Sequence, residues 1–361
     1  MKDVSLSYKW VTVLLFIFLF GCNSVGPRIL TLDRYQYNIA FDDSRNKELL
    51  LNMVRLRYNY PPMVLSVGNI SGSTKLQSTG DLAGFFNWGS IFGQQLSAGN
   101  GYSYSDNPII SYTPLEDSDY SKRFLSRFHL DQIMSLIETS WSIPRVFRML
   151  LQQAGTSMNA SNAARPTSHH VPKYQEFMNM VYVLRRLQLK DALDLSYTES
   201  DDGKTENLVF HLNKNGHLTA KETLILKKAG VEVYHNDIVF SNHAGPHKTL
   251  VVTRSVLGVL NYLSKGVAIP PEDVKNNMLT MTVYRNGQMF DWQRVLEGIM
   301  KIEYSSTKPK NASVEIYYLN RWYYISNTDN NSKKSFMLLT NLLGLIALTP
   351  QPSPVGLTRN V

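Results

Sequence analysis

Residues 314–339 read VEIYYLNRWYYISNTDNNSKKSFMLL, and this stretch changes character partway along. Two aromatic and β-branched runs, 313–319 and 321–326, flank Asn320, which is the pattern of a tight β-hairpin. Asn is the non-glycine residue that best tolerates a left-handed backbone, so Asn320 suits the turn. Trp322 is expected to pack in the hairpin core. The loop Ser326-Asn327-Thr328-Asp329-Asn330-Asn331 carries one carboxylate. That is too little charge for a hard-cation site, and the loop reads as the entry to a helix over 332–348, capped by Ser332.

Upstream, TRSVLGVLNYLSKG (253–266) reads as an apolar helix closed by Gly266. Arg254 opens it and needs a partner, a structural carboxylate or carbonyl being the plain expectation. Other segments are expected as helices at 173–189 and 218–228, with strands at 191–197, 206–212, 231–240 and 279–284. In the N-terminal half, SRNKELLLNMVRLRY (44–58) is a helix capped by Ser44. Leu49, Leu50, Met53, Val54 and the stem of Arg57 share one face, and Pro61-Pro62 ends it. Strands are expected over 63–73 and 107–115, and helices over 117–127, 129–139 and 142–154, the last with Pro144 in its first turn. Both element types in mixed order predict an α+β fold of helices and antiparallel strands, ending in a hairpin and a helix.

Hydrophobic residues make up 43% of the chain and charged residues 18%, ordinary for a folded protein, and the formal charge is +8. The only cysteine is Cys22. It follows the apolar run Trp10–Phe20, which is 11 residues long. This is the length of a signal-peptide core and short of the ~20 residues a membrane-spanning helix needs. Leu19-Phe20-Gly21-Cys22 resembles a bacterial lipobox, with Phe20 bulkier than usual at its position. The resemblance implies cleavage before Cys22 and attachment of acyl chains such as palmitate to the thiol, which hold the protein at a bilayer surface. The alternatives are an inert core thiol and an uncleaved anchor. Asn23, rather than Asp, after the cysteine favours the periplasmic face of the outer membrane.

The resulting plan is a signal peptide (1–21), a lipidated tether (22–43) and an N-terminal α/β part (44–154). A polar linker (155–172), a C-terminal α+β part (173–349) and a disordered Pro-rich tail (350–361) follow. With Cys22 lipidated, the mature chain has no disulfide, zinc-type cysteine cluster or cysteine nucleophile. Its basic balance favours anionic partners, and nucleic acid fits poorly with an exported lipoprotein.

Four blocks, ELLLNMVRLRYNYPPMVLSVGNI, YSDNPIISYTPL, VVTRSVLGVLNYLSKGV and the opening stretch, together resemble a family of uncharacterised Gram-negative outer-membrane lipoproteins. The resemblance implies export and a single fold, and no reaction. The family usually has Gly where Asn320 stands, and its following loop is more acidic.

No cofactor, metal or catalytic motif is legible. His243 and His247 are four apart, but Gly245-Pro246 between them rules out a shared helix face. There is no Walker loop, nucleophile elbow or EF-hand loop. The segment 80–104 mixes glycines with Phe85, Phe86, Trp88 and Phe92, which read either as a self-packed hairpin or as an exposed interaction patch. Two classes of function follow: a structural or assembly component of an envelope complex such as a secretion apparatus, or a periplasmic hydrolase or a cell-wall- or small-molecule-binding lipoprotein.

Overall fold

A computed structural model describes residues 25–63, 65–81, 99–114, 124–161, 163 and 170–347. Cys22 and the aromatic residues Phe85, Phe86, Trp88 and Phe92 lie outside them. The chain divides into two compact units, one of residues 63–126 and one of everything else. The larger unit is α+β, as expected.

The larger unit begins with α1 (Val25–Arg57). The sequence pattern puts a helix start at Ser44, yet the helix runs from Val25 through that point. Between Pro27, in the first turn, and Arg57 there is no glycine or proline to stop it, and Lys47 pairs with Asp43 at 2.6 Å across the expected boundary. Leu49, Leu50, Met53 and Val54 are buried, as the spacing predicts.

Next come α2 (Leu130–Glu138) and α3 (Ile143–Leu150). A mixed sheet takes β3 (Leu151–Ala154), β4 (Ser157–Met158), β5 (Leu193–Glu199), β6 (Glu206–Leu212), β7 (Asp237–Ser241) and β8 (Thr249–Thr253) in the order β4-β3-β8-β7-β6-β5. Only the β7–β8 pair is parallel among them. Helices α4 (Gln175–Leu189) and α5 (Ala220–Lys228) intervene, and α6 (Val256–Ser264) follows β8. The core sits where α3 meets this sheet. The ring of Phe147 lies 5.9 Å from that of Phe210 and 5.4 Å from that of Phe240, and the last two are 5.4 Å apart.

Two short helices, α7 (Pro271–Lys275) and α8 (Gln293–Leu296), lead to β9 (Glu303–Ser305), β10 (Ala312–Tyr318) and β11 (Arg321–Ser326). These strands form an antiparallel sheet in the order β10-β11-β9, and α9 (Asn330–Ala347) follows. The strand expected at 279–284 is reduced to one bridge, Val283 with Met289.

The smaller unit carries a separate two-stranded ribbon, β1 (Leu65–Asp81) with β2 (Gly99–Pro114). Its antiparallel register runs from Leu65 opposite Pro114 to Asp81 opposite Gly99, with a bulge between Val67 and Ile70. Both strands are longer than the runs 63–73 and 107–115 suggest.

The helix expected over 142–154 stops at Leu150, and Arg254 is the reason. An α-helix leaves its last four carbonyls without intrahelical partners. Here Leu151 N–H donates to Phe147 O, and Arg254 N–H to Leu150 O at 2.6 Å. The Arg254 guanidinium covers the rest: Nη1 reaches Arg148 O at 2.9 Å, Met149 O at 3.2 Å and Leu151 O at 2.5 Å. Nη2 reaches Asn159 O. Asn159 Nδ2 in turn donates to Arg148 O and Leu151 O. The chain can thus leave the helix and pair with β8 while the last carbonyls of α3 stay satisfied. Asn159 belongs to the polar stretch read as a linker between two parts, but its buried start is woven between α3 and β8.

At the C-terminal hairpin the register pairs Tyr318 with Arg321, leaving Leu319 and Asn320 as a two-residue turn. Their φ angles are 49° and 59°, the left-handed pair of a type I′ turn. Asn320 fits this as expected, whereas Leu319 pays a steric cost there. Trp322 corrects the reading: it is half-buried, faces Tyr317 across the strands at 5.4 Å, and lies on the outer side. The inward face is Val314, Ile316, Tyr323 and Ile325. Asp329, not Ser332, caps α9: its Oδ1 accepts the Asn331 and Ser332 N–H groups at 3.1 Å each.

Arg254→Met is expected to cost about 3 kcal/mol or more, since it strands several buried carbonyls. Urea denaturation measures this, and a loss below about 1 kcal/mol contradicts the role given to the guanidinium. Leu319→Asn is expected to stabilise the fold by about 1 kcal/mol in the same assay, by relieving the left-handed strain.

Candidate functional site

Three of the four quoted blocks converge at the C-terminal end of α1. The last turn of that helix delivers Arg57 and Tyr58, the end of α6 delivers Lys265, and β11 delivers Arg321 and Tyr323. Asp273 joins them from α7. All except Arg321 are buried.

One half of this junction is a hydrogen-bonded network around a carboxylate. Tyr58 donates its hydroxyl proton to Asp273 Oδ2 at 2.5 Å, and the Tyr323 hydroxyl lies 2.8 Å from that of Tyr58. With the single Tyr58 proton engaged, Tyr323 is the donor to Tyr58. Arg321 Nη2 reaches the second Asp273 oxygen at 3.3 Å. Burial, and then the bond to Asp273, hold the Tyr58 hydroxyl protonated far above the ordinary phenol range. Burial likewise raises Tyr323. With the Asp273 charge answered by Arg321 and both of its oxygens engaged, this half ties α1, α7 and β11 together, though Arg321 Nε has no partner.

The other half is not matched. Arg57 is 4% exposed, and Lys265 is 7% exposed. Among the described residues, the one acceptor of an Arg57 side-chain proton is the Met281 sulfur, 3.6 Å from Nη2. Its Nε is buried without a partner. The Lys265 ammonium lies 5.6 Å from the centre of the Trp292 ring. Trp292 is fixed by donating from Nε1 to Thr282 Oγ1 at 3.2 Å. Burial first, and the positive charge of Arg57 second, lower Lys265 from 10.5 to about 7. Burial also lowers Arg57, to about 10, so it stays charged at neutral pH.

Local sequence explains how these cations arrive there. Arg57 follows Leu49, Leu50, Met53 and Val54 on the buried face of α1, and the fold covers its head as well as its stem. Lys265 ends α6 just before Gly266, where a Cβ would sit 2.6 Å from Met300 O. That close approach, not a left-handed turn, is why glycine follows the helix. Both cations stand at helix C-termini, where the helix dipole favours positive charge.

Of the residues singled out from sequence, Arg254, Asn320 and Trp322 are placed above, and none of them joins this junction. His247 bonds Glu232 at 2.9 Å in a loop. Among the described residues no cluster of three metal-ligating side chains forms. Nor is any described helix long and apolar enough to cross a membrane. Tyr58, Asp273, Tyr323 and Lys265 were not signalled by sequence. The one readable sign was an arginine in register with an apolar helix face. No known family model, no curated protein and no solved structure matches this chain.

The pH dependence of Lys265 has a definite sign. Its folded value, about 7, lies below 10.5, so between them the unfolded chain holds the extra proton and stability rises with pH. Lys265→Met is therefore expected to equal or exceed the wild type at neutral pH, by about 1–4 kcal/mol. The difference should narrow as pH is raised toward about 9.5. Paired urea melts across that range test this, and a pH-independent difference contradicts it.

Proposed function

We propose that this chain is a structural or assembly component of the cell envelope, lipid-anchored through Cys22 at the periplasmic face of the outer membrane and working with other envelope proteins, as in a secretion apparatus. The observation that supports this reading is the separate unit of residues 63–126, built on the β1–β2 ribbon. A two-stranded sheet is marginal in water by itself, and both of its strands have an outer edge. Pairing with a strand from another protein satisfies those backbone groups. In the sequence, Phe85, Phe86, Trp88 and Phe92 join the two strands, and large aromatic side chains are the usual anchors of protein interfaces.

The test uses the full chain in Gram-negative cells. Labelled palmitate is expected in the wild type and absent after Cys22→Ala, which also leaves the outer-membrane fraction. A photo-crosslinking amino acid at Phe85 or Trp88 is expected to yield a discrete adduct with an envelope protein, whereas one at exposed Leu224 on α5 yields none. Wild-type chain without label overturns the anchor, and absence of any adduct from the aromatic positions overturns the assembly role.

A further inference from the structure

Five buried cationic side chains are described in this fold: Arg57, Arg145, Arg148, Arg254 and Lys265. Three have oxygen acceptors, although Arg148 Nε is buried without a partner. Arg254 takes four carbonyls. Arg148 donates to Val295 O at 2.8 Å and Glu297 O at 2.9 Å. Arg145 holds the backbone and side-chain oxygens of Asn331 together with Ser335 Oγ. Arg57 and Lys265 have no oxygen acceptor among the described residues, and they flank one short segment: Arg57 meets Met281 and Lys265 the Trp292 ring, which is held by Thr282.

Their place at helix ends does not supply the missing acceptors. The last carbonyls of α1 already receive the N–H groups of Tyr58, Asn59 and Tyr60. Those of α6 receive Lys265, Gly266 and Val267. The nearby carboxylate, Asp273, is committed to Tyr58 and Arg321. A buried charge with no counter-charge is among the costliest features a fold can hold, and a second buried cation in its field adds to the cost. A thioether is only a weak acceptor for a guanidinium.

We infer that Arg57 and Lys265 form a binding site for one small oxyanion, a carboxylate or a tetrahedral phosphate- or sulfate-type group. The guanidinium offers a planar fork of donors and the ammonium a point charge. Trp292 and Met281 supply apolar walls. An anion there neutralises the mutual repulsion and replaces the Met281 sulfur as acceptor. Arg57 is the charged group that acts on Lys265, and Tyr58 the group that acts on Arg57. The site is independent of the assembly role proposed above.

Isothermal titration calorimetry of the detergent-solubilised full chain tests this, with sodium sulfate and sodium acetate titrated separately at constant ionic strength. At about pH 6, where Lys265 is charged, at least one is expected to bind saturably, one per chain. Lys265→Met and Arg57→Met are each expected to weaken binding about tenfold or more. Raising the pH to about 8.5 should weaken wild-type binding and leave the residual binding of Lys265→Met unchanged. The stronger of the two anions identifies the source, a tetrahedral ester-like group or a carboxylate. Saturable binding of neither anion overturns the site, as does undiminished binding by Lys265→Met. That variant decides the matter even if Arg57→Met fails to fold, because it removes an unpaired buried charge.

Discussion

A helix that ends inside a protein must find partners for its last carbonyls, and in this fold that requirement falls on α3. Its four terminal carbonyls are met by Leu151 N–H, by the Arg254 backbone and by the Arg254 guanidinium, with Asn159 adding two more bonds. The guanidinium is buried and lies 4.2 Å from the Tyr262 ring. Because those carbonyls are covered, β3 can leave the helix at once and pair with β8, and the mixed sheet can pack against Phe147.

The same helix carries the fold to its C-terminal end. Arg145 reaches the first turn of α9, and Arg148 reaches the carbonyls at the end of α8. Arginine suits this use because it stays charged and offers five donors in a rigid fork. Burial lowers the affinity of Arg254 for its proton to about 10 without threatening its charge at neutral pH. Against that background, Arg57 and Lys265 stand out. The fold spends three buried arginines on oxygen acceptors and leaves two further cations with none among the described residues, one against the Met281 sulfur and one beside Trp292.

Some of this was legible in local sequence. The hairpin over 313–326, the positive φ of Asn320, the apolar face at the end of α1, and the helix entry after Ser326 all rest on neighbours within a few residues. Errors came where a distant partner overrode a local signal. Ser44 is a good cap, but nothing upstream breaks the helix, so it sits mid-helix. Leu151–Ala154 continues a helical pattern, yet a strand 100 residues away takes it. Trp322 has the bulk for a core, but strand alternation gives the inner side to Tyr323. The strands β8 and β9 are too short to declare themselves without the strands they pair with.

The sequence by itself determined the class of fold, the order of most elements and the chemistry available at each turn, because periodicity and capping depend on residues one to four positions apart. Only the tertiary structure decided which charges are answered. Arg254 meets Asn159 across 95 positions, Tyr58 meets Asp273 across 215, and Arg57 meets no oxygen among the described residues. Those outcomes depend on desolvation and on partners brought from far along the chain, and neither is written in a residue's immediate neighbours.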